Sequence, residues 1–169
     1  FASSCVYPKD ASQPMRPECL KTGPMEPTSE AYSMAKLAGV TLCEAYRRQH
    51  NFNAIVAVPA TVYGPDCDVN LETAHVLGAL IHKFYEAKAN NQKEVVAWGS
   101  GEPKREFIFS EDFVEACLFL MDNYNEKDVG NIGCGEDVAI KDLAQAIKDV
   151  SGFSGRIVFD RTKPDGAMR

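Results

Sequence analysis

Tyr32-Ser-Met-Ala-Lys36 is the stretch whose residue types and spacing could do chemistry. Side chains four apart share one face of a helix, so this phenol and this ammonium would be neighbours. A free phenol has a pKa of about 10 and is a poor acid at neutral pH. A cation beside it favours the phenolate and tunes it for proton transfer. A short distance upstream, Ser3-Ser-Cys-Val-Tyr-Pro8 offers a hydroxyl that could hold a carbonyl oxygen. Together these are parts for reducing a ketone or oxidising an alcohol. The spacing alone equally describes a surface lysine and a half-buried tyrosine, so the elements around it decide.

Phe1-Ala-Ser-Ser4 reads as the end of a strand. Residues 8–28 hold five prolines and read as a surface loop. Ser29 is a plausible N-cap for a helix running to about His50, with Leu37, Val40, Cys43 and Tyr46 on its apolar side. Asn53–Val58 is a short apolar run of strand type, stopped by Pro59-Ala-Thr-Val-Tyr-Gly-Pro65. Strand, crossover helix, strand is the pattern of a parallel sheet. Ligands bind such sheets beyond the carboxyl ends of the strands, so Ser3–Cys5 and Pro59–Gly64 are expected at one crevice. Further on, the periodicity predicts a helix over 71–89, strands at 94–98 and 105–109, and a helix capped by Ser110. A short strand at 129–133 follows, then a helix over about 140–151 closed by Gly152, and a last strand at 156–159. The fold class expected is α/β: part of a doubly wound parallel Rossmann-like sheet plus a smaller α/β domain. The expected boundaries are 1–65 for the first part and 66–169 for the second, with 110–134 able to return to the first sheet.

A chain of 169 residues can bury a real core. Its net charge of −6 and scattered basic residues exclude a nucleic-acid surface. No apolar run approaches the roughly 20 residues that span a bilayer, and no signal-peptide pattern opens the sequence. Six cysteines without a C-x-x-C pair point to reduced thiols and no structural zinc, and so to a cytoplasmic chain. Taken singly, Cys5 reads as a core thiol and His75 as a structural or surface histidine. Trp98 could be core, while Lys83, Arg105 and Lys163 could be solvated charges.

The combination is more specific. Ser3-Ser-x-x-Tyr7-Pro8, Y-x-x-x-K, Pro59-x-x-x-Tyr-Gly-Pro65, Trp98-Gly-Ser-Gly101 and Arg105-Glu-Phe107 occur in this order. With them stand Gln13-Pro-Met15, Gly23-Pro-Met-Glu-Pro-Thr28, Ala35-Lys-Leu-Ala-Gly39 and Phe159-Asp-x-x-Lys-Pro-Asp-Gly166. The chain resembles the extended short-chain dehydrogenases acting on nucleotide sugars. Within them it is most similar to the GDP-L-fucose synthase family, the 3,5-epimerase-4-reductases.

The resemblance implies two stages at one site. The 4-keto group of GDP-4-keto-6-deoxy-mannose acidifies C3 and C5, both centres are inverted, and NADPH then reduces C4 to give GDP-L-fucose. By position Cys5 matches the family's epimerisation base and His75 its acid, while Ser3, Tyr32 and Lys36 match the reduction set. Pro59 and Thr61, with Tyr32 and Lys36, match positions that contact NADP. Thr61, His75, Lys83, Trp98, Arg105 and Lys163 match positions that hold the GDP-sugar. A member of the family carries Arg where Lys83 stands, which implies a weaker phosphate grip here. It carries Asn where Thr61 stands, which implies an altered hydrogen bond near the sugar.

The family also opens with a glycine-rich G-x-x-G-x-x-G turn that cradles the cofactor pyrophosphate, and no such motif occurs in this sequence. The expectation is a chain carrying the catalytic residues without the N-terminal cofactor half, weak in NADPH-dependent reduction. Strand faces left uncovered would favour a homo-oligomer. Two alternatives stand beside this reading. One is a non-catalytic truncated fold or interaction module. The other is a nucleotide-sugar 4-epimerase or dehydratase, which would not need both Cys5 and His75.

Overall fold

The computed structural model describes every residue except Glu72, Gly166, Ala167 and Arg169. Gly166, the last residue of the Phe159–Gly166 motif, and Glu72, inside the helix expected from 71, therefore lie outside the described residues. The chain divides into two compact units, residues 1–62 with 106–135 and residues 63–105 with 136–169.

The first unit is built on α1, Glu30–His50, a helix of 21 residues. Its inner face follows the helical period: Ser33 and Val40 are buried, and Leu37 packs against the core between them. Asn51 ends it in the left-handed conformation (φ 50°), its N–H returning to the Tyr46 carbonyl. Ser29 occupies the N-cap position but makes no cap bond; its hydroxyl lies 3.4 Å from that of Ser33 instead. The strand expected over 53–58 is shorter and later, β1 at Ala57–Pro59. Upstream of it Arg47 takes Asn53 Oδ1 and the Ala54 carbonyl, so those residues serve the helix end rather than a ladder.

β1 is followed by β2, Thr61–Tyr63, which the sequence pattern was too short to indicate. β1 pairs in parallel with the strand at Gly130–Ile132, Ala57 opposite Gly130 and Pro59 opposite Ile132. The expected strand at 1–4 reduces to one backbone bond, Ala2 N–H to the Ala57 carbonyl at 2.9 Å. Ser3 bends the chain out of the ladder by accepting from Cys5 N–H at the head of a 3-10 turn, Ser4–Val6. Ala2, Val6, Tyr7, Val40, Val58 and Val129 form the buried core.

The second unit is a helix pair on two parallel strands. α2, Val76–Ala89, leads to β3, Glu94–Trp98. The sequence between is a tight connection, with Asn91 at φ 49°. The chain crosses back to the first unit along β4, Lys104–Phe109, and α3, Ser110–Asn123, follows. Ser110 is the first helical residue rather than the cap; Phe109 holds that position and makes no side-chain cap bond. After β5, the Gly130–Ile132 strand, a second strand missed by the pattern, β6 at Asp137–Ala139, delivers the chain to α4, Ile140–Ser151. Gly152 closes α4 at φ 66°, as its position predicts, and Lys88 of α2 donates to the Ser151 carbonyl at 2.6 Å.

β7, Arg156–Asp160, pairs in parallel with β3 from Glu94–Arg156 through Trp98–Asp160. Leu80, Phe84, Ala87, Val95, Ala97, Ile140, Ala144 and Phe153 form this unit's core. The rings of Phe84 and Phe153 meet edge to face, 5.7 Å apart. α2 starts five residues later than the pattern suggests. Asp68 accepts from the Asn70 amide at 2.9 Å and the Thr73 hydroxyl at 2.6 Å, so Asp68–Asn70 form a turn ahead of the helix. No described helix is long and apolar enough to cross a membrane.

Candidate functional site

In the first unit, Tyr32 and Lys36 project from neighbouring turns of α1, one residue off the buried Ser33–Leu37–Val40 stripe. That offset places the pair at the edge of the core rather than within it. Tyr32 is half exposed, and the Lys36 Nζ lies 5.8 Å from its ring centroid. The same ammonium donates to the Phe1 carbonyl at 3.3 Å. It therefore lies against both the Tyr32 ring and the N-terminal segment that carries Ser3 and Cys5. Ser3 and Cys5 are joined by the 3.4 Å bond from Cys5 N–H to Ser3 Oγ, and both side chains are partly buried. Pro59 ends β1 and Thr61 opens β2, both partly buried.

The end of this segment is held by a polar tie that sequence reasoning missed. The Tyr7 hydroxyl donates to Asn131 Oδ1 at 2.7 Å, and Asn131 Nδ2 donates to the Met15 carbonyl at 2.9 Å. Burial pushes the Tyr7 phenol above its ordinary value, and the Asn131 bond works against that shift. A separation of 124 positions carries no local signal for this pairing. Nearby, Glu106 accepts from the Gly135 amide at 2.7 Å, and its carboxylate fills the space a side chain at Gly133 would need.

In the second unit a cavity of about 260 Å³ opens between α2 and β3. Its apolar lining includes Leu71, Val76, Leu80, Pro103 and Ile140, and its polar lining includes Lys83, Trp98 and Arg105. Apolar walls with a few placed polar groups are the usual make-up of a ligand pocket, though this volume falls just below the usual range. Trp98 is 60% exposed. Lys83 Nζ lies 5.2 Å and Lys163 Nζ 5.5 Å from its ring centroid, so two ammoniums attend one indole. Lys83 also donates to the Val96 carbonyl at 2.9 Å, and burial holds its pKa below the ordinary lysine range. No carboxylate among the described residues forms an ion pair with Lys83 or Lys163.

Arg105 closes the rim, with Nη1 on the Lys104 carbonyl at 2.7 Å. A flat aromatic face, two ammoniums beside it and an apolar wall suit a planar anion. His75 stands exposed at the N-cap position of α2, between the lining residues Ala74 and Val76. The Asp68 turn fixes the chain ahead of it, and Asp68's own carboxyl is held below its usual range, chiefly by the Thr73 hydroxyl. Its D-x-N spelling was the available sequence signal.

Ser3, Cys5, Tyr32, Lys36, Pro59 and Thr61 thus belong to one unit, and His75, Lys83, Trp98, Arg105 and Lys163 to the other. Within each, the structure brings the expected residues together: Lys36 with Tyr32 and the Ser3–Cys5 segment, and Lys83 and Lys163 with Trp98.

Comparison with known proteins bears on both units. Residues 1–133 match the model of the NAD dependent epimerase/dehydratase family. The chain is 52% identical over its full length to a putative GDP-L-fucose synthase 2 of Arabidopsis thaliana, covering 52% of that protein. It is 43% identical to the GDP-L-fucose synthase of Escherichia coli, all of this chain matching 56% of that one. Among solved structures, a GDP-L-fucose synthetase from Naegleria fowleri bound to NADP superposes with a TM-score of 0.91 at 33% identity. That match covers 99% of this chain and 54% of the other. The chain therefore spans about half the length of the curated relatives it matches.

Proposed function

Because this chain belongs to the NAD dependent epimerase/dehydratase family, we propose that it carries the catalytic and substrate-binding residues of a GDP-L-fucose synthase. The reaction is conversion of GDP-4-keto-6-deoxy-mannose to GDP-L-fucose by 3,5-epimerisation and NADPH-dependent 4-reduction. In this reading the first unit belongs to the Rossmann-like cofactor domain and the second to the substrate domain. The relatives' shared name supports the substrate. The observation that carries the chemistry is the Lys36 ammonium, set against both the Tyr32 ring and the Phe1 carbonyl beside Ser3 and Cys5.

The residues present fit the cofactor. A half-exposed phenol next to a lysine with one carbonyl contact leaves donors for a ribose hydroxyl. Tyr32, Lys36, Pro59 and Thr61 would hold the nicotinamide end. NADPH, when bound, supplies the hydride for C4. Tyr32 gives its proton to the C4 oxygen, Lys36 stabilises the phenolate left behind, and Ser3 orients that oxygen.

Epimerisation uses the same carbonyl differently. Cys5, as thiolate, removes the proton on C3 and then that on C5, each acidified by the 4-keto group. His75 returns a proton from the opposite face each time, inverting the centre. Free thiol and imidazole pKa values of about 8.5 and 6.5 suit a base and an acid working near neutrality. Lys83, Trp98, Arg105 and Lys163 hold the nucleotide diphosphate, and Thr61 contacts the sugar. The partners implied are the GDP-sugar and a second copy of the chain, since Leu118 and Phe119 of α3 are exposed. Six free thiols support the cytoplasmic assignment.

Proton exchange needs no hydride, so it tests the site without the cofactor. The chain is incubated with the 4-keto sugar nucleotide in deuterated water, and the substrate is weighed by mass spectrometry. Deuterium at C3 and C5 is expected, and Cys5→Ser and His75→Gln should each abolish it. Absence of exchange with folded protein would refute the catalytic reading and favour a binding module.

A further inference from the structure

The segment after β7 is tied down at both ends. Asp165 accepts from the Ser100 amide at 2.6 Å through one carboxylate oxygen and from the Ser100 hydroxyl at 2.9 Å through the other. That hydroxyl also accepts from the Glu102 amide at 3.1 Å. Gly99 makes the approach possible: its φ is +79°, and a side chain there would run into the Asp165 carboxylate. At the other end Asp160 takes the Thr162 amide and hydroxyl, while its carbonyl accepts from the Gly99 amide at 2.9 Å. Between the two anchors lies Lys163, its ammonium over Trp98. Pro164 and Asp165 themselves line the cavity.

A carboxylate on the wall of an anion site should repel the ligand. Here both of its oxygens are committed to Ser100, and its effect is geometric. A lysine on an untethered loop would have to be ordered when the ligand arrives, at a cost in affinity. A lysine already held on an indole face avoids most of that cost.

We propose that Asp165 is a positioning residue of the nucleotide-sugar site, tying the 160–165 segment to the Gly99–Gly101 turn so that Lys163 stays against Trp98. This rests on the nucleotide reading of the cavity given above.

Trp98 is the sole tryptophan of the chain, so its fluorescence reports on this site alone. Without nucleotide, Asp165→Ala and Lys163→Ala should shift its emission in the same direction, and the double variant should add nothing. Unchanged emission in Asp165→Ala, or additive shifts, would overturn the proposal. GDP titration then reads the sign. A carboxylate acting only by charge predicts tighter binding in Asp165→Ala; the tether predicts about fivefold to tenfold weaker binding.

Asp165→Asn removes the charge but keeps an acceptor for the amide and a donor for the hydroxyl of Ser100. It should bind GDP at least as well as the unaltered chain, and binding weakened as much as in Asp165→Ala would overturn the tether. Unchanged or tighter binding in Asp165→Ala refutes the tether. If the unaltered chain gives no GDP response, the nucleotide reading fails, and the nucleotide-free emission still decides the role of Asp165.

Discussion

Lys83 is the sharpest single test of the cavity as a diphosphate site. Its ammonium stands 5.2 Å from the Trp98 centroid and is already hydrogen-bonded to the Val96 carbonyl at 2.9 Å. It is therefore ordered before any ligand arrives, and little rotamer entropy opposes its use. An ammonium about 5 Å from a phosphate charge gains about 0.8 kcal/mol at the dielectric of water and about 3.3 kcal/mol at an effective value of 20. Partial burial at the cavity wall puts Lys83 between these limits. Lys83→Met should then cost about 1.4 to 2 kcal/mol, or roughly a tenfold to thirtyfold rise in the Kd for GDP. Lys83→Arg should match or exceed the unaltered chain, because a guanidinium can grip a phosphate through two parallel bonds.

The pH profile carries a second signature. Burial lowers the Lys83 pKa, so its charge is lost at a lower pH than the ordinary lysine value of about 10.4. GDP binds the charged form, so affinity should fall as pH rises through that lowered pKa, and Lys83→Met should lose this part of the decline. Titration calorimetry across the alkaline range reads both quantities. A Lys83→Met chain that binds GDP within twofold of the original, with its thermal transition intact, would refute the placement of phosphate beside Lys83.

Two further outcomes follow from the packing. A methyl group at position 78 would collide with the Asp68 carbonyl, so Gly78→Ala should destabilise the second unit by about 1–3 kcal/mol. It should also slow His75-dependent deuterium exchange while leaving NADPH binding unchanged; exchange at the original rate would show that the Asp68 turn does not set His75. In the first unit, Tyr7→Phe removes the bond to Asn131 and should cost about 0.5–1.5 kcal/mol. The Tyr7 pKa is raised on folding, so its contribution is full below the unfolded value of about 10 and is lost as pH rises through the folded value. Urea midpoints measured from pH 8 to 11 should therefore fall less steeply in Tyr7→Phe, with Tyr124, also raised by burial, supplying a remaining slope.

Local patterns carried much of the fold. The Glu94–Trp98 strand alternates buried and exposed residues, and its bounds agree with the pattern. Ile140, Ala144 and Ile147 recur at helical spacing on α4, and the glycine after its last turn takes the left-handed conformation that ends it. The pairing of Tyr32 with Lys36 needed only the helical repeat. Caps were less legible, because a serine in the right place has other partners: Ser29 lies against Ser33, and Ser110 is drawn into the helix. The starts of α2 and β1 moved because neighbouring polar side chains, Asp68 and Arg47, took over the backbone there. Contacts between distant segments left no trace in spacing. Tyr7 with Asn131 and Ser100 with Asp165 are separated by 124 and 65 positions, and the types involved are common in loops.

The two chemical stages proposed for this chain make unequal demands on it. Inversion at C3 and C5 requires an acid and a base, which are side chains of this chain, and a polarised carbonyl, which is the substrate's own 4-keto group. Reduction adds one requirement, a hydride donor, and places its burden on Tyr32 and Lys36. A variant at Lys36 should therefore separate the stages. Removing its ammonium takes the cation from beside the phenol and one contact from the Phe1 carbonyl, but neither Cys5 nor His75 is touched. If the assignment of roles is right, Lys36→Met keeps deuterium exchange and loses hydride transfer. If exchange disappears with it, the epimerisation stage also depends on Lys36, and the clean division of labour between the thiol–imidazole pair and the phenol–ammonium pair is wrong.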